Sequence, residues 1–434
     1  MAAACRLLDS GRRVSLVEKR PYLGGRAFSF VDRETGQEVD NGQHIFLGCC
    51  TYYIEFLKKL GTLDQTYLQT KLEVKVMDPR GKTGKLSSSF LPNPLHSLPS
   101  FLAYRHLGAW EKLMGVVALL RIKYSDRTRP DFQRQSFYDW LKRNRQSDRA
   151  VDNFWNLIIK PCANDDVRSV SASMGMMIFQ EGLLRTKGGG RVGYARVGLS
   201  KLMGQAAERY IEERGGHLVL GRSATAILVQ DGAATGVRLD NGESLSGDAL
   251  ISALPGDALL PLLPDEAQAL PYFAAVGQLT TAPIVNVHLW YDRPVMKDHF
   301  ATFVDSPLQW VFNRGSILGS NGGEGRHISI SLSGAFEYIN QPKEQVQDMM
   351  VQAMARAFPA AAEARLERAL VVKQDKATFR CLPGTEALRP PAVTPVKGLY
   401  LAGEWTDTGW PSTMEGAVRS GVAAVDAVAA GAGL

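Results

Sequence analysis

The chain opens MAAACRLLDSGRRVSLVEKRPYLGGRAFSF, and this stretch restricts the fold more than any other. Residues 2–9 are good helix formers, Gly11 stands where a C-terminal stop belongs, and Val14–Val17 is a short apolar strand ending at Glu18. Helix, tight turn, strand and acidic strand end form the second half of a βαβ unit that binds a dinucleotide. A carboxylate at that place can accept from both hydroxyls of a ribose. Gly24 and Gly25 let backbone approach a pyrophosphate, and Arg26 neutralises it. A full unit of this kind has another strand and a GxGxxG turn before the helix, whereas here Met1 stands inside the helix. The sequence as written is therefore expected to bind a dinucleotide poorly or not at all, and a start codon called too late or a fragmentary sequence is the expected reason.

A chain of 434 residues can bury a large core and suggests two or three domains, interleaved rather than in a row. Fifty Lys and Arg against 44 Asp and Glu leave a mild excess of +6, suited to anionic membrane surfaces or phosphates and weak as a sign of nucleic acid, which is not expected as a partner. The five cysteines are odd in number and form no CxxC, so neither a disulfide framework nor a zinc site is indicated, and a reducing cytoplasm fits. Arg6, Asp9 and Arg12 break the first apolar stretch, so no signal peptide is expected. The longest run free of Asp, Glu, Lys and Arg, Ala267 to Tyr291, holds Pro271, Gln278 and Pro283, which predicts loop plus strand rather than a spanning helix.

The fold class expected is α/β: a Rossmann-like dinucleotide domain interleaved with an α+β substrate domain and a helical insertion. The dinucleotide domain is assigned to 1–84, 196–270 and 385–434, a helical substrate and membrane-associated region to 85–195, and an antiparallel-sheet substrate domain to 271–384. The helical region carries the Pro-rich "FLPNPLHSLPSFLAYRHL" and a predicted helix from Trp110 to Lys123. Asp231-Gly232 and Asp240-Asn241-Gly242 punctuate a strand-rich segment, "IVNVHLWY", "QWVFN" and "HISISLS" read as antiparallel strands, and Val346, Met349, Met350, Ala353 and Ala357 mark a helix stripe. Near the end, "GLYLAGEW" is a buried strand leading to a Ser-capped helix, "STMEGAVRSGVAAVDAV", whose N-terminal amides face an acceptor.

In "DNGQHIFLGCC", Gly42 permits close approach to a planar ring, with Gln43 and His44 as donors. His44, Cys49 and Cys50 match no common ligand spacing, so no metal is expected. "GGGRVG" fits GxGxxG at Gly188, Gly190 and Gly193 but follows the charged "LLRTK", and is read as a flexible loop. GxSxG and HExxH are both absent, which disfavours a hydrolase.

The segments near 18–26, 41–48 and 401–421 resemble the FAD-dependent amine oxidase and phytoene desaturase superfamily. Within it, "FLPNPLHSLPSFLAYRHL", "FWNLIIKPCAN", "RVGLSKL", "DKATF", "LRPPAVTP" and "LAGEWTDTGWPSTMEGAVRSG" are most similar to the squalene-associated desaturases, or hydroxysqualene dehydroxylases. The resemblance implies FAD as cofactor. Glu18 would bind the adenosine ribose, Gly24, Gly25 and Arg26 the pyrophosphate, and Ala224 the adenine through backbone atoms. Gly42, Gln43 and His44 would lie by the isoalloxazine, Gly403 and Glu404 would hold the pyrophosphate and ribityl chain, and Thr413 and Met414 the flavin edge. It further implies a long polyisoprenoid substrate such as hydroxysqualene, an electron donor such as reduced nicotinamide or a redox protein, and a cytoplasmic protein held peripherally at the membrane. Trp110 and Tyr104 would dip into lipid beside Arg121, Lys123, Arg127, Arg129 and Arg134.

Two redox directions are open: reductive dehydroxylation of hydroxysqualene to squalene, favoured by the resemblance, and oxidative desaturation of phytoene or squalene. His44, Asp165, Asp166 and Glu415 are the candidate proton-transfer groups, and their spacing selects none. An amine oxidase, with Trp405 and Trp410 about the flavin, fits the strings less well. A flavin-free, lipid-binding relic of the fold is the rival from outside the enzymes.

Overall fold

A computed structural model of the chain describes residues 1–319 and 325–431. The N-terminal helix is Ala2–Asp9. The chain turns through Gly11 at φ 75° and enters the strand Ser15–Glu18, which runs parallel to His217–Leu220 in the register Ser15 to His217 and Glu18 to Leu220. A second parallel pair joins Leu250–Ser252 to Leu399–Leu401. The C-terminal helix Met414–Gly431 lies across the N-terminal one. The contact is close because its facing residues are small: a Cβ on Gly421 would sit 3.1 Å from Ala3 N and 3.3 Å from Ala2 Cβ. Strands Ala224–Gln230, Ala233–Leu239 and Ser244–Ser246 form a separate antiparallel sheet. Its first hairpin turns on Asp231 and Gly232, both at positive φ (49° and 73°), as the Asp-Gly signal predicts.

The largest sheet has seven strands in the order 366–379, 281–291, 327–333, 310–313, 300–303, 73–77, 83–87, antiparallel except where Thr302–Phe303 meets Val76–Met77. It thus takes in Glu73–Met77 from the span 1–84, and Thr83–Ser87, which crosses from that span into 85–195. Its two faces differ in chemistry, which follows from the alternation of side chains along a strand. Val285, Val287, Leu289, Ile328, Ile330 and Leu332 turn to one face and pack with Val346, Met350, Ala353 and Met354 of the helix Lys343–Ala357 in one core. Asn286, His288 and Trp290, with Ser329, Ser331 and His327 opposite them in register, occupy the other face, and Asn286, His288, His327 and Ser329 are buried. Burying that many polar groups costs free energy unless each is bonded, and the segment 37–43 supplies several of their partners.

The helical region packs around Phe137, Trp140, Phe154, Trp155 and Phe179, with Trp155 edge-on to Phe179 at 4.8 Å and its Nε1 donating to Gln146 Oε1 at 2.9 Å. Its helix Ala109–Tyr124 buries Gly115, Ala118 and Ile122. The opposite face exposes Trp110, Leu113, Leu120 and Tyr124, and Phe90, Leu95 and Leu102 are exposed in the segment leading up to it. No described helix is long and apolar enough to cross a membrane.

Three sequence expectations change. Tyr104 is fully buried, with its hydroxyl donating to Asn153 O at 2.8 Å, so it forms part of the core and not of an outer face. The run 267–291 is helix plus strand, since Pro271 takes the first position of the helix Pro271–Val276, where its missing N–H has no helical acceptor to lose. "GGGRVG" leads directly into the strand Val192–Ala195, and Gly193 lies so close under the Phe46 ring that a Cβ would come within 2.4 Å of it.

Candidate functional site

Glu18, at the end of its strand, accepts from Arg20 N at 2.9 Å, and its carbonyl accepts from Arg222 N at 3.2 Å. The second contact brings the 220–224 turn, and with it Ala224 at the head of the next strand, beside the acidic residue. Gly24 (φ 137°) and Gly25 (φ 60°) then reverse the chain; a side chain on Gly24 would also strike Ala27 O at 2.8 Å. Gly204 lies against this turn so closely that a Cβ there would sit 2.4 Å from Leu23 O. Arg26 leaves the turn and pairs with Glu404, bringing together two residues expected at one pyrophosphate from opposite ends of the chain.

The next segment, Asp40 to His44, is the most heavily bonded turn of the site. Asn41 Nδ2 donates to Arg26 O at 2.7 Å, tying the turn to the first. Asn286 Nδ2 donates to Asn41 O at 3.1 Å while Ser331 Oγ donates to Asn286 Oδ1 at 2.6 Å. Gly42 is obligatory because a Cβ would lie 2.4 Å from Asn286 Nδ2. Asp40 Oδ1 accepts from Ser29 Oγ at 2.8 Å and Leu199 N at 2.9 Å. Arg314 Nη2 lies 2.8 Å from Asp40 Oδ2, and both side chains are almost wholly buried. Gln43 Oε1 accepts from Arg314 Nη1 at 2.8 Å.

His44 Nδ1 lies 2.8 Å from Gly42 O, and a carbonyl only accepts, so Nδ1 carries the hydrogen and Nε2 the lone pair. The ring keeps some surface but is packed round by protein atoms, and that burial holds its pKa below the usual histidine value. It is neutral at pH 7. Behind the turn, His288 Nδ1 and His327 Nε2 are 3.1 Å apart, and Trp290 stacks on His327 at 4.3 Å while donating to Gln37 Oε1 at 2.9 Å. Burial, with the Arg314 charge adding to it, brings His288 down to about 4 and His327 well below the usual value.

The C-terminal elements close the other side. Gly403 takes φ 131° and its amide donates to Ser420 Oγ at 2.7 Å. Thr413 caps the following helix by accepting from Gly416 N at 3.1 Å, so the cap is Thr413 and not Ser412. The Met414 and Glu415 amides lie in the first turn, with no intrahelical acceptor. Arg389, in the string "LRPPAVTP", is buried and donates to Glu404 O at 3.1 Å and Thr408 Oγ1 at 3.0 Å, and it also bonds Thr406 O, stapling the loop 404–408. Trp405 is buried and bonded to Leu254 O, while Trp410 lies at the loop's edge beneath Arg419.

The other three proton-transfer candidates lie in structural bonds. Glu415 is 1% exposed and accepts from Tyr52 N at 3.3 Å, Tyr53 N at 2.8 Å and Arg419 Nε at 2.7 Å, joining the C-terminal helix to the start of the helix Thr51–Lys59. Asp165, also 1% exposed, takes Arg380 Nε at 2.6 Å and the Asp166 amide at 2.8 Å. Asp166 accepts from Asn156 Nδ2 at 2.7 Å.

Sequence reasoning passed over Arg314, Asn286, Asn41 and Arg389. The signal for Asn286 was the alternation Asn-Val-His-Leu-Trp, which puts three polar or amphipathic groups on one face of a largely apolar strand.

As a set, the site offers a carboxylate for a ribose, two left-handed glycines and a cation for a pyrophosphate, and a helix N-terminus for an electron-rich ring edge. The donor set and the close-approach glycines fit FAD. A family model for flavin containing amine oxidoreductase matches residues 1–429. A 15-cis-phytoene desaturase of Glycine max is 27% identical over 446 residues, covering 99% of this chain and 77% of that protein. The 15-cis-phytoene desaturase of Synechococcus elongatus is 24% identical over 447 residues, covering 99% of this chain and 94% of its own. Among solved structures, a putrescine oxidase bound to putrescine superposes with a TM-score of 0.73 at 16% identity, covering 99% of this chain and 96% of that one.

Proposed function

Since the chain belongs to the flavin containing amine oxidoreductase family and its cofactor is FAD, we propose that it exchanges hydride with a long polyisoprenoid, oxidatively, as a carotenoid-type desaturase. The observation that carries the reading is the pairing of the flavin-type site with phytoene desaturase relatives along almost the whole chain. FAD supplies hydride exchange at carbon when bound. Glu18, Gly24, Gly25, Arg26 and Ala224 would hold its adenosine and pyrophosphate end; Gly403 and Glu404, stapled by Arg389, its middle; Gly42 to His44 with Thr413 and Met414 its ring.

Loss of hydride and a proton from adjacent carbons makes a double bond, so the protein must supply a proton acceptor. His44, neutral with its lone pair on Nε2, has the required state. Asp165 and Glu415 hold neighbouring segments in place instead, since their oxygens are spent on Arg380, Arg419 and backbone amides. The substrate is insoluble in water. The outward stripe Trp110, Leu113, Leu120 and Tyr124, flanked by Lys112, Arg121 and Lys123, is the face we assign to a lipid surface of the cytoplasmic membrane.

A second reading, reductive dehydroxylation of hydroxysqualene, is supported by the strings "FLPNPLHSLPSFLAYRHL" and "LAGEWTDTGWPSTMEGAVRSG". Product analysis in liposomes decides between them. Phytoene converted to a longer conjugated polyene in the presence of an electron acceptor supports desaturation. Hydroxysqualene converted to squalene with an electron donor, and phytoene untouched, supports the second reading.

A further inference from the structure

Arg314 heads the short helix Arg314–Leu318 and is 2% exposed, one of the largest fully buried side chains described. A guanidinium has five donors and no acceptor, and its burial is tolerated only where acceptors surround it. Here the Asp40 carboxylate neutralises it as an ion pair and Gln43 Oε1 accepts its hydrogen bond, and the two residues flank Asn41 and Gly42. The sheet does not need the contact for its pairing, because Trp310–Asn313 is already held by strands on both sides. Nor does Asp40 need it for its other oxygen, which Ser29 and Leu199 satisfy.

The guanidinium does settle the Gln43 amide. An amide fits its space almost equally well in either flip, and the side holding the cation must take the oxygen. The nitrogen then points to His44 O, at 3.2 Å. We propose that Arg314 is a positioning residue of the active site: by fixing the Gln43 amide and clamping Asp40, it presents the 42–44 backbone and the His44 ring in one arrangement. The inference rests on the assignment of Gly42 to His44 to the flavin ring.

The alternative is a buried ion pair that serves stability alone. Four proteins separate the two: wild type, Gln43→Leu, Arg314→Lys and the charge-free double variant Asp40→Asn/Arg314→Met, each loaded with FAD. The readouts are the visible flavin spectrum and midpoint potential, beside melting temperature and turnover. A lysine keeps the charge but lacks the rigid planar fork that holds two partners in one geometry, and the double variant removes both charges, which need not destabilise. Gln43→Leu and Arg314→Lys are expected to shift spectrum and potential in the same direction and to lower kcat about tenfold to a hundredfold. The double variant should melt near wild type and still show the flavin shift. Wild-type flavin properties in Arg314→Lys and in any double variant that folds, with Gln43→Leu shifted, would overturn the positioning role. Unchanged flavin in Gln43→Leu would overturn the placement of the turn at the ring and the inference with it. Should the double variant fail to fold, the Arg314→Lys comparison carries the test.

Discussion

The turn Asp40–His44 and the helix Ala109–Tyr124 invert the usual partition of side chains in opposite senses. Around the turn the protein buries Asp40, Gln43, Arg314, His288 and His327, groups that ordinarily face water. Along the helix it leaves Trp110, Leu113, Leu120 and Tyr124 in the open, groups that ordinarily leave water. The first is offset by pairing among the buried groups beside the site that fits FAD, and the second is the face proposed above to meet a lipid surface. Stability should therefore be sensitive to the turn and indifferent to the outward face of the helix.

The largest effect is expected from Arg314→Met alone, which strands Asp40 as an unpaired buried charge. A loss of about 3–5 kcal/mol in urea unfolding is expected, and a loss below about 1 kcal/mol would mean that the pair is not buried as described. Gly42→Ala should cost about 1–3 kcal/mol, because its Cβ overlaps the Asn286 amide and the turn is held on all sides. Melting curves would register it.

The buried histidines predict an acid limit. His288 is held neutral at about 4 when folded, against an unfolded value of about 6.5, so the unfolded state takes its proton first as pH falls. Stability is full above about pH 6.5 and declines below it, by about 2 kcal/mol at pH 5 for His288 alone. Arg314 acts on this ring against Asp40 and Asp32, and His327 lies in contact with it. His288→Asn should flatten the slope between pH 7 and pH 5. On the helix, Leu113→Gln with Leu120→Gln should change unfolding free energy by about 0.5 kcal/mol or less each, yet reduce binding to vesicles containing anionic lipid. A destabilised protein, or one with unchanged vesicle binding, would remove the distinction between the two regions.

Much of this was legible in advance, for a physical reason. The elements around Glu18, Gly24-Gly25 and the C-terminal helix are set by local rules: caps, stops and positive-φ turns that favour glycine. The Asp231-Gly232 hairpin and the stripe of Lys343–Ala357 likewise follow from short-range chemistry. What escaped was non-local. Nothing near Arg314 in sequence announces that it meets Asp40, and nothing near Glu415 announces that its carboxylate caps the helix Thr51–Lys59. Tyr104 illustrates the same limit, since an aromatic beside a Pro-rich apolar loop reads equally as membrane anchor or core, and only the Asn153 carbonyl distinguishes them. The redox direction was read from short strings, whereas the two relatives described above, which match along the chain, are phytoene desaturases.

The most direct measurement is the visible flavin spectrum of the FAD-loaded protein, kept anaerobic in liposomes and mixed with phytoene. Bleaching of the oxidised flavin band within a single turnover, with a conjugated product formed in equal amount, is the expected result. A flavin that is bleached by a primary amine and left oxidised by phytoene would contradict the reading of this chain as a polyisoprenoid desaturase.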